Sequence, residues 1–109
     1  MDYCSKVVLV ENGAVFFDKE AMDLLKLIDE EKSITDAADT LKISAAKAKR
    51  IIKAIEKYLG EKAVVKSRNA GVDGYNVHIS PACRGLLDKY AEFYKQSNAA
   101  VKEIFDKIF

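Results

Sequence analysis

The sequence predicts a mostly helical chain with a small β component: a winged helix-turn-helix carrying an N-terminal β-hairpin and a long C-terminal dimerisation helix or helix pair. Three observations carry this expectation. Three stretches of helical periodicity follow one another between residues 18 and 60, each behind a capping residue. Two pairs of strand-like runs flank them, one closed by Asn12-Gly13 and one by a glycine-containing loop. The last stretch, from Ser80 to Phe109, has its one proline at the start and no glycine except Gly85.

A chain of 109 residues fits one domain around one core, with a winged region expected over 1–80 and a helical dimerisation segment over 81–109. Half the residues are hydrophobic and 32% are charged, which excludes a disordered chain. No apolar run approaches the roughly 20 residues of a membrane span, and no secretory signal is expected. Cys4 and Cys83 lie far apart without a CxxC, so they are expected as reduced thiols in a cytoplasmic protein.

The elements follow in order. Lys6–Glu11 and Ala14–Phe17 are β-branched and aromatic runs, and Asn12-Gly13 between them supplies the two positive-φ residues of a type I′ turn. Asp18 then caps a first helix, with Phe17 and Met22 as a hydrophobic staple. Ala21, Leu24, Leu25 and Ile28 give its buried stripe, to about Glu31. Ser33 caps a second helix with Asp36 as the box acid, and Ile34, Ala37, Ala38 and Leu41 face inward. Ser44 caps a third, which buries Ala48, Ile51, Ile52, Ile55 and Leu59 and stops at Gly60. Ala63–Ser67 and Tyr75–Ile79 read as the strands of the wing, joined by the loop Arg68–Gly74. Ser80-Pro81 opens the final helix, which would run about 43 Å if Ser97-Asn98 does not divide it.

The net charge of +1 argues against nucleic acid only until the charges are placed along the chain. Residues 11–39 hold nine acids and three lysines; residues 40–70 hold nine bases and two acids. Such segregation between adjacent segments points to a polyanionic partner. On the third helix, the face opposite the apolar stripe carries Ala46, Lys49, Arg50, Lys53 and Lys57. Ser44, Ala45, Ala46 and Lys47 open that helix, and the small side chains permit close approach to a groove. Lys66, Arg68 and Asn69 add a basic wing suited to backbone or minor-groove contact. The expected partner is therefore double-stranded DNA, with the third helix in the major groove.

In the last segment Leu87, Tyr90, Tyr94, Ser97, Val101, Ile104 and Ile108 are spaced three and four apart, and Phe93, Phe105 and Phe109 widen the seam. A homodimer is expected, the alternative being a helix folded back on its own domain. Two recognition helices would then require half-sites about 34–36 Å apart or a multiple of that.

No enzyme, metal or cofactor is expected. His78 has no second ligand at metal-binding spacing, Cys83 has no base motif, and no paired carboxylates stand out. Gly71 and Gly74 are too close together for a phosphate-binding loop.

The order of pieces resembles the N-terminal domain of ModE-type molybdate-responsive transcription regulators, which is related to the DNA-binding domain of LysR-type regulators. The resemblance runs from about Val7 to Tyr94. It rests on Phe16-Phe17-Asp18, Leu24–Asp29, Ser33–Ala38, Ile43-Ser44, the glycine-bearing wing, Ile79–Ala82, Leu86-Leu87 and Tyr90. Ala37-Ala38, Leu59-Gly60 and Ile79-Ser80 also fit the LysR type, which usually lacks the leading hairpin. The resemblance implies DNA binding by a dimer, with Ser44, Ala45, Lys47 and Lys49 at the groove. The chain departs from the ModE pattern where the recognition helix commonly opens Ser-Tyr-x-x-Ala-Trp; here it is Ser44-Ala45-Ala46-Lys47-Ala48-Lys49. Cys83 stands where glycine is usual. With the sequence ending at Phe109, no molybdate-binding domain and no molybdate site is expected in it. The competing reading is a protein-interaction module whose basic face meets an acidic protein partner.

Overall fold

The computed structural model describes residues 1–68 and 75–109, with the backbone alone at Arg68 and Tyr75. In chain order it contains β1 (Leu9–Glu11), β2 (Ala14–Phe17), α1 (Lys19–Glu31), α2 (Ile34–Leu41), α3 (Ala45–Leu59), β3 (Val64–Arg68), β4 (Tyr75–Ile79) and α4 (Pro81–Ile108). The fold class read from the sequence is the one observed.

Local chemistry sets the element ends. Asn12 and Gly13 adopt φ of 51° and 79°, as a type I′ turn requires, and β1 and β2 pair antiparallel. β1 is shorter than the expected Lys6–Glu11. Its register is irregular between Leu9 and Val10, and the Val7 carbonyl accepts the Tyr90 hydroxyl at 2.7 Å. The four capping side chains accept as expected: Asp18 from the Ala21 N–H, Ser33 from Asp36, Ser44 from Lys47 and Ser80 from Cys83. At Ser33 only this forward bond forms. The Asp36 carboxylate makes no return contact, being one methylene shorter than the glutamate of a full capping box.

Gly60 ends α3 at φ 73°, but α1 and α2 stop on lysines, Lys32 and Lys42, both at φ 60°. The Lys32 carbonyl accepts the Val77 N–H at 3.1 Å, which fastens β4 to the turn between α1 and α2. The antiparallel β3–β4 pair runs from Val64 opposite Ile79 to Arg68 opposite Tyr75.

The core gathers Phe17, Leu24, Leu25, Ile28, Ala37, Ala38, Ala48, Ile55, Cys83, Leu87 and Tyr90. Burying these apolar side chains supplies the main stabilising term. Ile34, Leu41, Ile51 and Leu59, expected inside, lie at its margin. α4 is one helix of 28 residues, so Ser97-Asn98 does not divide it into a pair. Its first three turns belong to the core through Cys83, Leu87 and Tyr90; the rest extends beyond it, and the molecule measures 58 × 29 × 23 Å.

Candidate nucleic-acid interface

α3 presents two chemically different faces. Ala48, Ile52 and Ile55 point into the core, whereas Ala45, Ala46, Lys47, Lys49, Arg50, Lys53 and Lys57 are exposed. Its N-terminus is open to solvent, so the free N–H groups and the positive end of the helix dipole favour an anion there. The Ser44 side chain is exposed as well, with its oxygen engaged as the cap of Lys47.

The basic side chains differ in their surroundings. Lys47 Nζ lies 3.0 Å from Glu20 Oε1 on α1, an ion pair that spans 27 positions of sequence. Spacing along one helix carries no signal of such a contact. No acid among the described residues pairs with Lys49, Arg50 or Lys53. Lys66 is exposed on β3, on the same side as Lys49 and Lys53, and the three border one surface trough with Lys62. Lys62 follows the end of α3 and belongs to no periodic face, so helical spacing carries no signal of its place here. Arg68 closes β3, but its side chain and all of Asn69 lie outside the described residues.

Hairpins flank α3 on two sides. On the side away from the wing, Phe16 of β2 stacks on Tyr58 with ring centroids 4.3 Å apart and planes at 16°. This contact fixes the leading hairpin against the C-terminal half of α3.

Leu87 and Tyr90, expected to open a dimer seam, are not available to a second copy. Leu87 and Tyr90 are 2% and 1% exposed and pack inside their own domain, where Tyr90 also donates to Val7. A heptad-like spacing identifies a face without saying what covers it, and here the domain core covers that face at Leu87 and Tyr90. Tyr94, Val101 and Phe105 are half-buried, whereas Ile104 and Ile108 are 56% and 68% exposed. Phe93 and Phe109 are exposed beside them. Phe105 contacts Tyr3 at 4.6 Å and Phe109 at 5.2 Å, so the first residues of the chain run beside the outer part of α4.

Cys83 is buried, and desolvation pushes its thiol up from 9.0 to about 11. Cys4 is exposed, and both cysteines are free. His78 is half-buried on β4. Among the described residues no three of His, Cys, Asp and Glu are grouped to hold a metal, and no helix is long and apolar enough to cross a membrane.

No protein-family model and no curated protein matches the chain. Solved structures do. ArgP from Mycobacterium tuberculosis superposes with a TM-score of 0.55 and 21% identity, covering 77% of this chain and 29% of that one. A mutant of full-length BenM superposes at 0.59 and 21% identity, covering 84% of this chain and 28% of that one. The winged-helix fold is shared with the matched part of each of these structures. This chain spans under a third of the length of either of those proteins.

Proposed function

We propose that this winged helix is a DNA-binding transcription regulator that acts as a homodimer. The observation that carries the reading is the outer face of α3, where Lys49, Arg50 and Lys53 are exposed and unpaired with any described acid. In this fold, a solvent-facing basic helix with an open N-terminus suits insertion into the major groove. Ser44, Ala45, Ala46 and Lys47 would meet base edges or phosphates at its start. Lys49, Arg50 and Lys53 would neutralise phosphates along its length. The wing, with Lys66 and the sequence Arg68-Asn69, would rest on the flanking backbone or minor groove.

Residues 1–80 with the first turns of α4 would form the DNA-binding unit, and the outer part of α4 the dimer seam. Tyr94, Val101, Ile104, Phe105 and Ile108 would then meet a second copy. The leading hairpin β1–β2 favours a ModE-type affiliation over the plain LysR type. A cytoplasmic, non-enzymatic role follows from this reading.

Selection of bound duplexes from a random pool tests it. Enrichment of a two-fold-related motif, with half-sites one or more helical turns apart, is expected. If no motif is enriched, sequence-specific regulation is wrong; if the protein also keeps an acidic partner in excess duplex DNA, the protein-interaction reading replaces it.

A further inference from the structure

Between α3 and the wing runs a trough of about 590 Å³, of a size ordinary for small-molecule sites. Between its charged residues the lining is apolar: Ile34 of α2, Ile52 of α3, and Val64, Val65 and Val77 of the wing. Four lysines border it, Lys49 and Lys53 on the α3 side, Lys62 and Lys66 on the wing side. The one acid in its lining is Glu56, and its Oε2 accepts the Ala63 N–H at 2.9 Å, closing the turn into β3. No described acid pairs with any of the four lysines.

A sugar-phosphate strand calls for the lysines but not for the apolar lining. Apolar side chains facing water in a concave site gain from an apolar occupant, while the cationic rim selects an anionic head. We propose that this trough binds a small amphipathic organic anion, with its hydrocarbon tail along Ile34, Ile52, Val64 and Val77 and its head group on the lysines. Because Lys49 and Lys53 are shared with the DNA-binding face, the occupied protein releases DNA. The ligand site stands independently of the DNA reading, whereas this regulatory consequence rests on it.

The test titrates the full chain with dodecanoate below its micelle threshold, following backbone amide shifts, and repeats the titration with acetate and with dodecyltrimethylammonium. Dodecanoate is expected to shift the amides around Ile34, Ile52, Val64 and Val77, and both controls to leave them in place. Lys62→Ala/Lys66→Ala is expected to weaken dodecanoate binding about fivefold. Val65→Asn, at a trough position outside the buried core, is expected to weaken dodecanoate while keeping duplex affinity within about twofold of wild type. Three results overturn the site: acetate binding as tightly as dodecanoate, the cationic amphiphile binding equally, or shifts confined to the outer part of α4. An acidic amphipathic peptide that outcompetes dodecanoate would assign the trough to a protein partner instead. Dodecanoate bound in the trough without displacing a bound duplex overturns the regulatory consequence alone. A protein that binds dodecanoate but no duplex keeps the site and removes the DNA reading.

Discussion

Glu20 of α1 holds the ammonium of Lys47 at 3.0 Å, so an acid from the acidic half of the chain touches the helix assigned to DNA. Both side chains are substantially exposed, at 46% for Lys47 and 37% for Glu20, which makes the pair weak enough to open for a phosphate. Glu20→Gln is expected to raise duplex affinity about two- to fivefold at low salt. Lys47→Ala should cost more affinity in the Glu20→Gln background than in wild type. Fluorescence anisotropy on the four proteins of the cycle checks this; additive effects would mean that the pair does not restrain Lys47.

Tyr90 joins the two ends of the domain. Its ring sits 4.7 Å from Phe17 in the core, and its hydroxyl donates to the Val7 carbonyl at 2.7 Å. Tyr90→Phe keeps the packing and removes the bond, and it is expected to cost about 1 kcal/mol in urea unfolding. Among the described residues the Val7 carbonyl accepts no other hydrogen bond, so loss of this anchor should let the adjoining β1–β2 pair open more often and its paired amides exchange faster. Unchanged stability and protection would remove the proposed anchoring role.

The two cysteines should differ in their accessibility to reagent. Cys4 is exposed and Cys83 buried, so one thiol per chain is expected to react quickly at neutral pH and the second only on unfolding. Burial raises the Cys83 thiol from 9.0 to about 11, so the folded chain keeps a proton that the unfolded chain gives up. The resulting stability is present below pH 9 and is lost as the pH rises through about 11. Desolvation likewise raises the Tyr90 hydroxyl from 10.0, adding to the alkaline loss. Cys83→Ala is expected to flatten the slope of melting temperature between pH 9 and 11 relative to wild type.

The outer part of α4 should decide the oligomeric state. Ile104 and Ile108 are exposed on the single chain, and charges placed there would be buried unpaired in a helix–helix seam. Ile104→Glu/Ile108→Glu is expected to sediment as a folded monomer at concentrations where wild type is a dimer. Wild type sedimenting as a monomer would remove the seam altogether.

The sequence made the local features legible. Asn12-Gly13 and the caps at Asp18, Ser33, Ser44 and Ser80 act on neighbours within three positions, so their chemistry can be read without the fold. The core stripe of α1 and the basic outer face of α3 follow from helical period alone. What was not legible depended on distant partners. Period placed Leu87 and Tyr90 on the seam face, but only their burial, with Tyr90 packed on Phe17 and bonded to Val7, shows that this part of the face is core. The lysines at Lys32 and Lys42 give no glycine signal for left-handed helix stops, and the Lys32 carbonyl finds its use in β4, 45 positions away at Val77. Glu20 beside Lys47, and Lys62 beside the trough, are likewise products of the tertiary arrangement.

Equilibrium binding to a selected duplex, wild type against Arg50→Ala/Lys53→Ala, tests the assignment of α3 most directly. Both side chains are exposed on the outer face of α3, so the variant should retain its fold by circular dichroism. The expected result is at least a tenfold loss of affinity, roughly 1 kcal/mol or more for each side chain, with the salt dependence shallower by about two phosphate contacts. A folded variant that binds the duplex as tightly as wild type, with the same salt dependence, would contradict the docking of α3 on DNA.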